Sequence, residues 1–192
     1  MKKPDLKHSE VSHITSNQMK TVYILSGPAG VGKSTTAEAL TKSLNHSAYI
    51  SGDDVSHMHI GGRQKPWESE EELRLIWNNI LSLARNFVQF GNDVVIDYVT
   101  FPQEASWLRE KVRDLHVRVV YVVLWTDPET LLSRDQMRIP EHRMRERCLI
   151  LIEEFKQSDL NAKHLLDTGS FTTAQMNQYV EEIKNNSGFE LA

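Results

Sequence analysis

"SGPAGVGKST", Ser26 to Thr35, is the stretch on which the reading of this chain turns. Its centre, Gly27-Pro28-Ala29-Gly30-Val31-Gly32-Lys33-Ser34, satisfies G-x-x-x-x-G-K-[ST] in full. An apolar, β-branched run (Thr21–Gly27) precedes it and reads as a buried strand. A helical pattern with Ala37, Leu40 and Leu44 on one face follows it. Glycines at 27, 30 and 32 let the backbone turn with its N–H groups pointing inward, where they can wrap a β-phosphate. The following helix offers the positive end of its dipole to the same anion. Lys33 can reach the β- and γ-phosphates, the Ser34 hydroxyl can sit on Mg2+, and Thr35 completes the loop. A Gly-rich turn could match by chance, but the strand before and helix after favour a triphosphate site.

Working outward, the chain alternates strand and helix. Ala48–Ser51 reads as a second strand. From Ser69 a long amphipathic helix places Leu73, Ile76, Trp77, Ile80, Leu81, Ala84, Phe87 and Val88 at helical spacing. Ser69 with Glu72 forms a capping box at its start, and Gly91 stops it. Asp93–Val99 and Val117–Trp125 are near-continuously apolar, as in a parallel sheet covered on both faces. A helix from about Pro102 to Leu115 lies between them. Another opens at Asp127-Pro128, with Asp127 as N-cap. His164–Thr168 reads as a fifth strand and Thr172–Lys184 as a closing helix. The class is α/β with a mostly parallel sheet.

At 192 residues, 40% hydrophobic and 25% charged, the chain has the length and composition of about one globular domain. A net charge of −4 gives no overall pull toward nucleic acid. Cys148 is the lone cysteine, so it has no intramolecular disulfide partner, which fits a reducing cytoplasm. Residues 1–18 are polar and aperiodic, without a signal peptide's apolar stretch, and read as a loose tail. Met19, directly before the first strand, is a candidate start. No run approaches the roughly 18 apolar residues of a membrane span. One domain is expected over 19–186.

Which triphosphate protein this is depends on the rest of the chain. No Asp is followed three residues later by Gly, and N-K-x-D is absent, which counts against a GTPase. Asp97 is followed by Tyr98 where a motor-type ATPase would usually carry an acidic pair. The arginines are positive signs. Arg134 and Arg138 share a helical face, where one guanidinium can lie on adenine and its neighbour pair with a phosphoryl group. Arg143 and Arg145 can equally be solvated surface charges. Just beyond strand two stand Asp53 and Asp54, at the edge that faces the ligand crevice of a doubly wound sheet. A carboxylate there can take the proton of an attacking hydroxyl, and Asp53 is the first choice, with Asp54 behind it. Either could instead cap the helix that follows. Asp97 could hold a metal-bound water or a substrate hydroxyl, or cap the next helix.

The strand–loop–helix unit, the acidic pair and "TDPETLLSRDQMR" (Thr126–Arg138) together resemble the P-loop small-molecule kinases over about residues 20–170. That group includes nucleoside monophosphate, gluconate, shikimate and chloramphenicol kinases and zeta-toxin-like enzymes. The resemblance implies a three-layer P-loop fold with five parallel strands in the order 2-3-1-4-5 and helices on both faces. It also implies a LID over about 135–147, with Arg134 on the adenine and Arg138 on the transferring phosphoryl. ATP is the implied nucleotide, Lys33, Asp53 and Arg138 the implied catalytic residues, and Ser34 and Asp97 the implied metal-side residues. "HMHIGGRQKPW" (His57–Trp67) is placed like an acceptor-binding segment, and its G-G-x-x-x-P-W resembles gluconate kinases. Arg63 or Lys65 could bind an anionic acceptor. Trp67 could stack on a sugar face, or staple the helix behind it. His57 and His59 are not expected to bind Mg2+, which prefers oxygen ligands.

The expectation is therefore a kinase for a small hydroxyl-bearing molecule. The alternative is a regulatory nucleotide-binding protein or slow ATPase without such an acceptor, and a third possibility is phosphorylation of an oligonucleotide end. The net charge speaks against a long nucleic-acid track. The identity of the acceptor and the oligomeric state are not encoded in these patterns.

Overall fold

The computed structural model describes residues 19–137, 143–144, 146–169 and 173–192. Strands β1 (Thr21–Ser26), β2 (Ser47–Ser51), β3 (Asp93–Asp97), β4 (Arg118–Trp125) and β5 (Leu165–Asp167) form one sheet. All four pairings are parallel, in the order β2-β3-β1-β4-β5. Among the described residues lie helices α1 (Lys33–Ser43), α2 (Gly52–His57), α3 (Glu70–Gln89), α4 (Pro102–Lys111), α5 (Pro128–Gln136), α6 (Glu146–Lys156) and α7 (Met176–Asn185).

Side chains alternate across the strands and so build two cores. Val22, Ile24, Val94 and Ile96 point to the layer of α3 and α4, which contributes Ile76, Ile80 and Leu108. Tyr23, Leu25 and Val95 point the other way, toward Ala37 and Leu40 of α1 and Val180 and Ile183 of α7. Helix α6 reaches both layers: Leu151 and Ile152 join the second core and Phe155 the first. Each fully buried Leu or Ile here contributes on the order of 1.5–3 kcal/mol relative to exposure.

The register sets the site. Leu25 lies opposite Asp97, and Ser51 lies opposite Asp97 on the other side, so β1, β2 and β3 all end at one level. The glycine loop, the start of α2 and the turn into α4 therefore emerge together at the carboxyl edge of the sheet.

Several sequence expectations shift locally. The expected strand over Asp93–Val99 stops at Asp97, because the chain leaves the ladder there and Thr100 is tied instead to the Ser26 hydroxyl at 2.8 Å. Helix α4 ends at Lys111 and a separate 3-10 turn covers Arg113–Leu115. Phe87, expected on the buried face of α3, is 38% exposed. A helix of 20 residues is about 30 Å long while the five-residue strands β2 and β3 beneath it span about 17 Å, so α3 overhangs them. Only half of the expected capping box forms: the Ser69 hydroxyl accepts from the Glu72 N–H at 3.2 Å. The Glu72 side chain turns instead to His59 Nδ1 at 2.8 Å and to the Gln64 N–H at 3.3 Å. The closing helix begins at Met176 after a 3-10 turn at Thr173–Gln175. Beyond residue 186, a 3-10 turn at Ser187–Phe189 puts Phe189 in the core, and Leu191 donates to the Val119 carbonyl at 3.0 Å.

Candidate active site

The glycine loop leaves β1 at Gly27, whose φ of 131° suits no L side chain. A β-carbon there would also lie 2.4 Å from the Leu124 carbonyl oxygen of β4. The loop is thus pressed against the neighbouring strand before it turns into α1. Pro28 and Gly27 supply carbonyls that hold the Lys33 ammonium at 3.1 and 3.0 Å. Val31 is buried beneath. Helix α1 starts at Gly32 with no side-chain cap and no acidic residue in its first turn. In contrast, α2, α3 and α5 are capped by Ser51, Ser69 and Asp127. Helix α1 thus presents to the cavity an N-terminal end that carries no side-chain cap, where an anion can be accommodated.

Ser34, Tyr49 and Asp97 meet beside this terminus. The Tyr49 hydroxyl donates to Asp97 Oδ2 at 2.8 Å. Burial, and then the Asp97 charge, push its pKa well above the ordinary phenol range, with the neighbouring Ser34 hydroxyl acting the other way. Tyr49 therefore stays a neutral donor and fixes the buried Asp97 carboxylate.

Asp53 stands at the start of α2. Ser51, not Asp53 or Asp54, caps this helix: its hydroxyl accepts from the Asp54 N–H at 3.1 Å. Both carboxylates are exposed, and of the two Asp53 faces the cavity described below. Beneath it Gly52 is pressed against Tyr98, whose ring would lie 2.3 Å from a β-carbon. Tyr98 is buried; burial first and the Asp53 charge second raise its pKa above the phenol range.

One cavity of about 410 Å³ collects most of these groups. Ala29, Gly30, Gly32, Lys33, Ser34 and Thr35 line its loop side, and Asp53, Asp97 and Trp67 another side. Arg134 also faces it, held by the Thr168 carbonyl at 2.8 Å, on the far side of the sheet from α2. Asp54 and Arg63 do not line it. Arg63 lies over α2, donating from Nε and Nη2 to the Ser56 hydroxyl at 3.1 and 2.9 Å. Arg138 and part of the expected LID, 138–142 and 145, lie outside the described residues.

Four cavity-lining groups were given no role in the sequence reading of the site. Tyr98 and Phe101 follow the third strand. Glu104, on the first turn of α4, faces the cavity and accepts from the Phe101 N–H at 2.8 Å. Burial raises the Glu104 pKa, its own and the Phe101 backbone N–H groups opposing the shift. Arg147, on α6, lies 5.5 Å above the Trp67 ring, its guanidinium held by both Glu154 oxygens at 2.7 and 3.0 Å. Its signal was the spacing of seven residues to Glu154, two turns along one helical face.

A family model described as an AAA domain matches residues 22–156. Among solved structures, a gluconokinase from Sinorhizobium meliloti is 15% identical, covers 88% of this chain and 99% of its own, and superposes with a TM-score of 0.59. A sugar kinase from Janibacter sp. is 14% identical, with coverages of 89% and 97% and a TM-score of 0.61. The APS kinase of Mycobacterium tuberculosis, in complex with AMPPNP and APS, is 16% identical, with coverages of 88% and 99% and a TM-score of 0.59. At these identities the likeness is one of fold. No curated protein matches by sequence.

Proposed function

The chain belongs to the AAA domain family, and from that premise we propose that it is an ATP-dependent phosphotransferase. It moves the γ-phosphoryl of Mg-ATP to a hydroxyl of a small molecule. The observation that carries this reading is a single cavity lined by both the uncapped α1 N-terminus with Lys33 and the carboxylate of Asp53. A triphosphate donor and a hydroxyl acceptor need those two features side by side.

The residues present fit the implied ligands. The N-terminal end of α1, without a side-chain cap, suits an anion. Ser34 and Asp97 offer hard oxygen donors joined through Tyr49. Among the described residues no group of three or more His, Cys, Asp and Glu is gathered to hold a metal alone. That suits an ion carried largely by phosphate oxygens and water. When bound, Mg2+ neutralises charge on the phosphate oxygens. The chain's own groups do the rest. Lys33 leaves its loop carbonyls for the phosphoryl oxygens, and Arg134 borders the nucleotide. Asp53 orients the acceptor hydroxyl and takes its proton. Arg138 is assigned to the transferring phosphoryl.

Mg2+-dependent ADP release, with and without a library of hydroxyl acceptors, tests the proposal on wild type beside Asp53→Asn. An acceptor should raise release well above the water rate, and the variant should abolish that rise. ATP binding with no stimulation by any acceptor, and no effect of Asp53→Asn, would turn the assignment toward a nucleotide-binding switch.

A further inference from the structure

The sheet order separates the cavity into two sides. Arg134, after β4, and Thr168, after β5, flank the glycine loop on one side. On the other, beyond β1 and β3, the wall is Trp67, Leu73, Tyr98, Val99 and Phe101. That second wall is aromatic and aliphatic, with the carboxylates of Asp53, Asp97 and Glu104 set into it and the Arg147 guanidinium over Trp67.

The described cations that face the cavity are engaged elsewhere. Lys33 belongs to the loop. Arg134 is bound to the Thr168 carbonyl, and the Arg147 charge is matched by both oxygens of Glu154. Arg63, near enough for its charge to reach Tyr98, spends Nε and Nη2 on Ser56. Among the described residues, an anionic acceptor entering this wall would meet the carboxylates of Asp53, Asp97 and Glu104 and, over Trp67, an Arg147 already paired with Glu154, a like-charge arrangement that specificity commonly exploits for rejection.

Resting on the phosphotransferase reading, we propose that the acceptor is a hydroxyl compound with an aromatic or apolar body and a neutral or cationic polar end, selected by Glu104. The apolar body packs on Trp67, Tyr98 and Phe101, and its hydroxyl turns to Asp53. The polar end donates to the Glu104 carboxylate. One Glu104 oxygen is fixed by the Phe101 N–H, so the side chain is held in place to receive it. Burial raises the pKa of this carboxyl, and a cation beside it relieves that cost.

The test is equilibrium binding to the full chain saturated with Mg-AMPPNP, measured by calorimetry with three probes of one body: phenylethanolamine, phenylethylene glycol and mandelate. They share a phenyl ring and a benzylic hydroxyl and differ in an ammonium, a hydroxyl or a carboxylate. The amine is expected to bind at least about tenfold more tightly than mandelate, with the glycol between them. Glu104→Gln, which keeps an acceptor for the Phe101 N–H, should bring the amine down to the glycol. Equal binding, tighter binding of mandelate, or no binding of any probe overturns the proposal, as does an amine preference that survives Glu104→Gln. The phosphotransferase reading is judged apart, by Mg-AMPPNP binding and by acceptor-stimulated ADP release. A preference for anionic acceptors in that second assay would leave the kinase standing and remove only the charge rule.

Discussion

Gly52 has no room for a β-carbon: the Tyr98 ring would lie 2.3 Å from it. Gly52→Ala must therefore push the ring aside or tilt the start of α2, and either displaces Asp53. The substitution is expected to cost about 1–3 kcal/mol in urea unfolding. It should lower acceptor-stimulated turnover more than Mg-AMPPNP affinity, a split that separate binding and rate measurements resolve. Lys33→Ala acts on the opposite wall. It removes a cation held 3.0 Å from the loop carbonyl of Gly27, and kcat should fall by about 100–1,000-fold, as for one lost electrostatic donor. Near-normal turnover would contradict the role given to the loop. The glycine loop and Asp53 were legible in the sequence because loop and helix chemistry is local. Tyr49 was not: its partner Asp97 lies 48 residues away, and strand register alone brings the two together.

At the level of elements, α3 was readable from end to end, with Ser69 at its start and Gly91 after its close. Ser69→Ala should cost about 1 kcal/mol of stability, since it deletes a side-chain cap, and thermal denaturation checks it. The unread part is where Glu72 goes. Its buried carboxylate ties His59 and Gln64, so α3 also anchors the loop that carries Trp67. Short α2 has too few residues for periodicity to show. In α6 the pattern was present, since Cys148, Leu151, Ile152 and Phe155 are buried at i, i+3, i+4 and i+7. The expected LID ended at about 147, and no element was read over the stretch beyond it.

For the whole molecule, the parallel α/β class followed from alternation and apolar runs, while the strand order came through family resemblance and is what the structure has. Spacing along the chain carries no information on which strand sits beside which. The same holds for His164, buried before β5, whose Nδ1–H donates to the Tyr121 carbonyl of β4 at 3.0 Å. Burial lowers its pKa from the ordinary 6.5. Between the folded and unfolded values the unfolded chain binds more protons, so this contribution is complete above the unfolded value and is lost as pH falls below it. The urea midpoint should therefore drop between about pH 7.5 and about pH 5.5. In His164→Asn that drop should be smaller.

Trp67 has a further use that follows from its position. It is 52% exposed at the cavity wall, whereas Trp77 and Trp125 pack against core rings. Its indole is the one beneath the Arg147 guanidinium, so the molecule carries a built-in optical probe at the mouth of its own site. Ligand entry should shield this indole from acrylamide and blue-shift the emission. Trp67→Phe should erase most of that response, so occupancy could be followed by fluorescence with no added label.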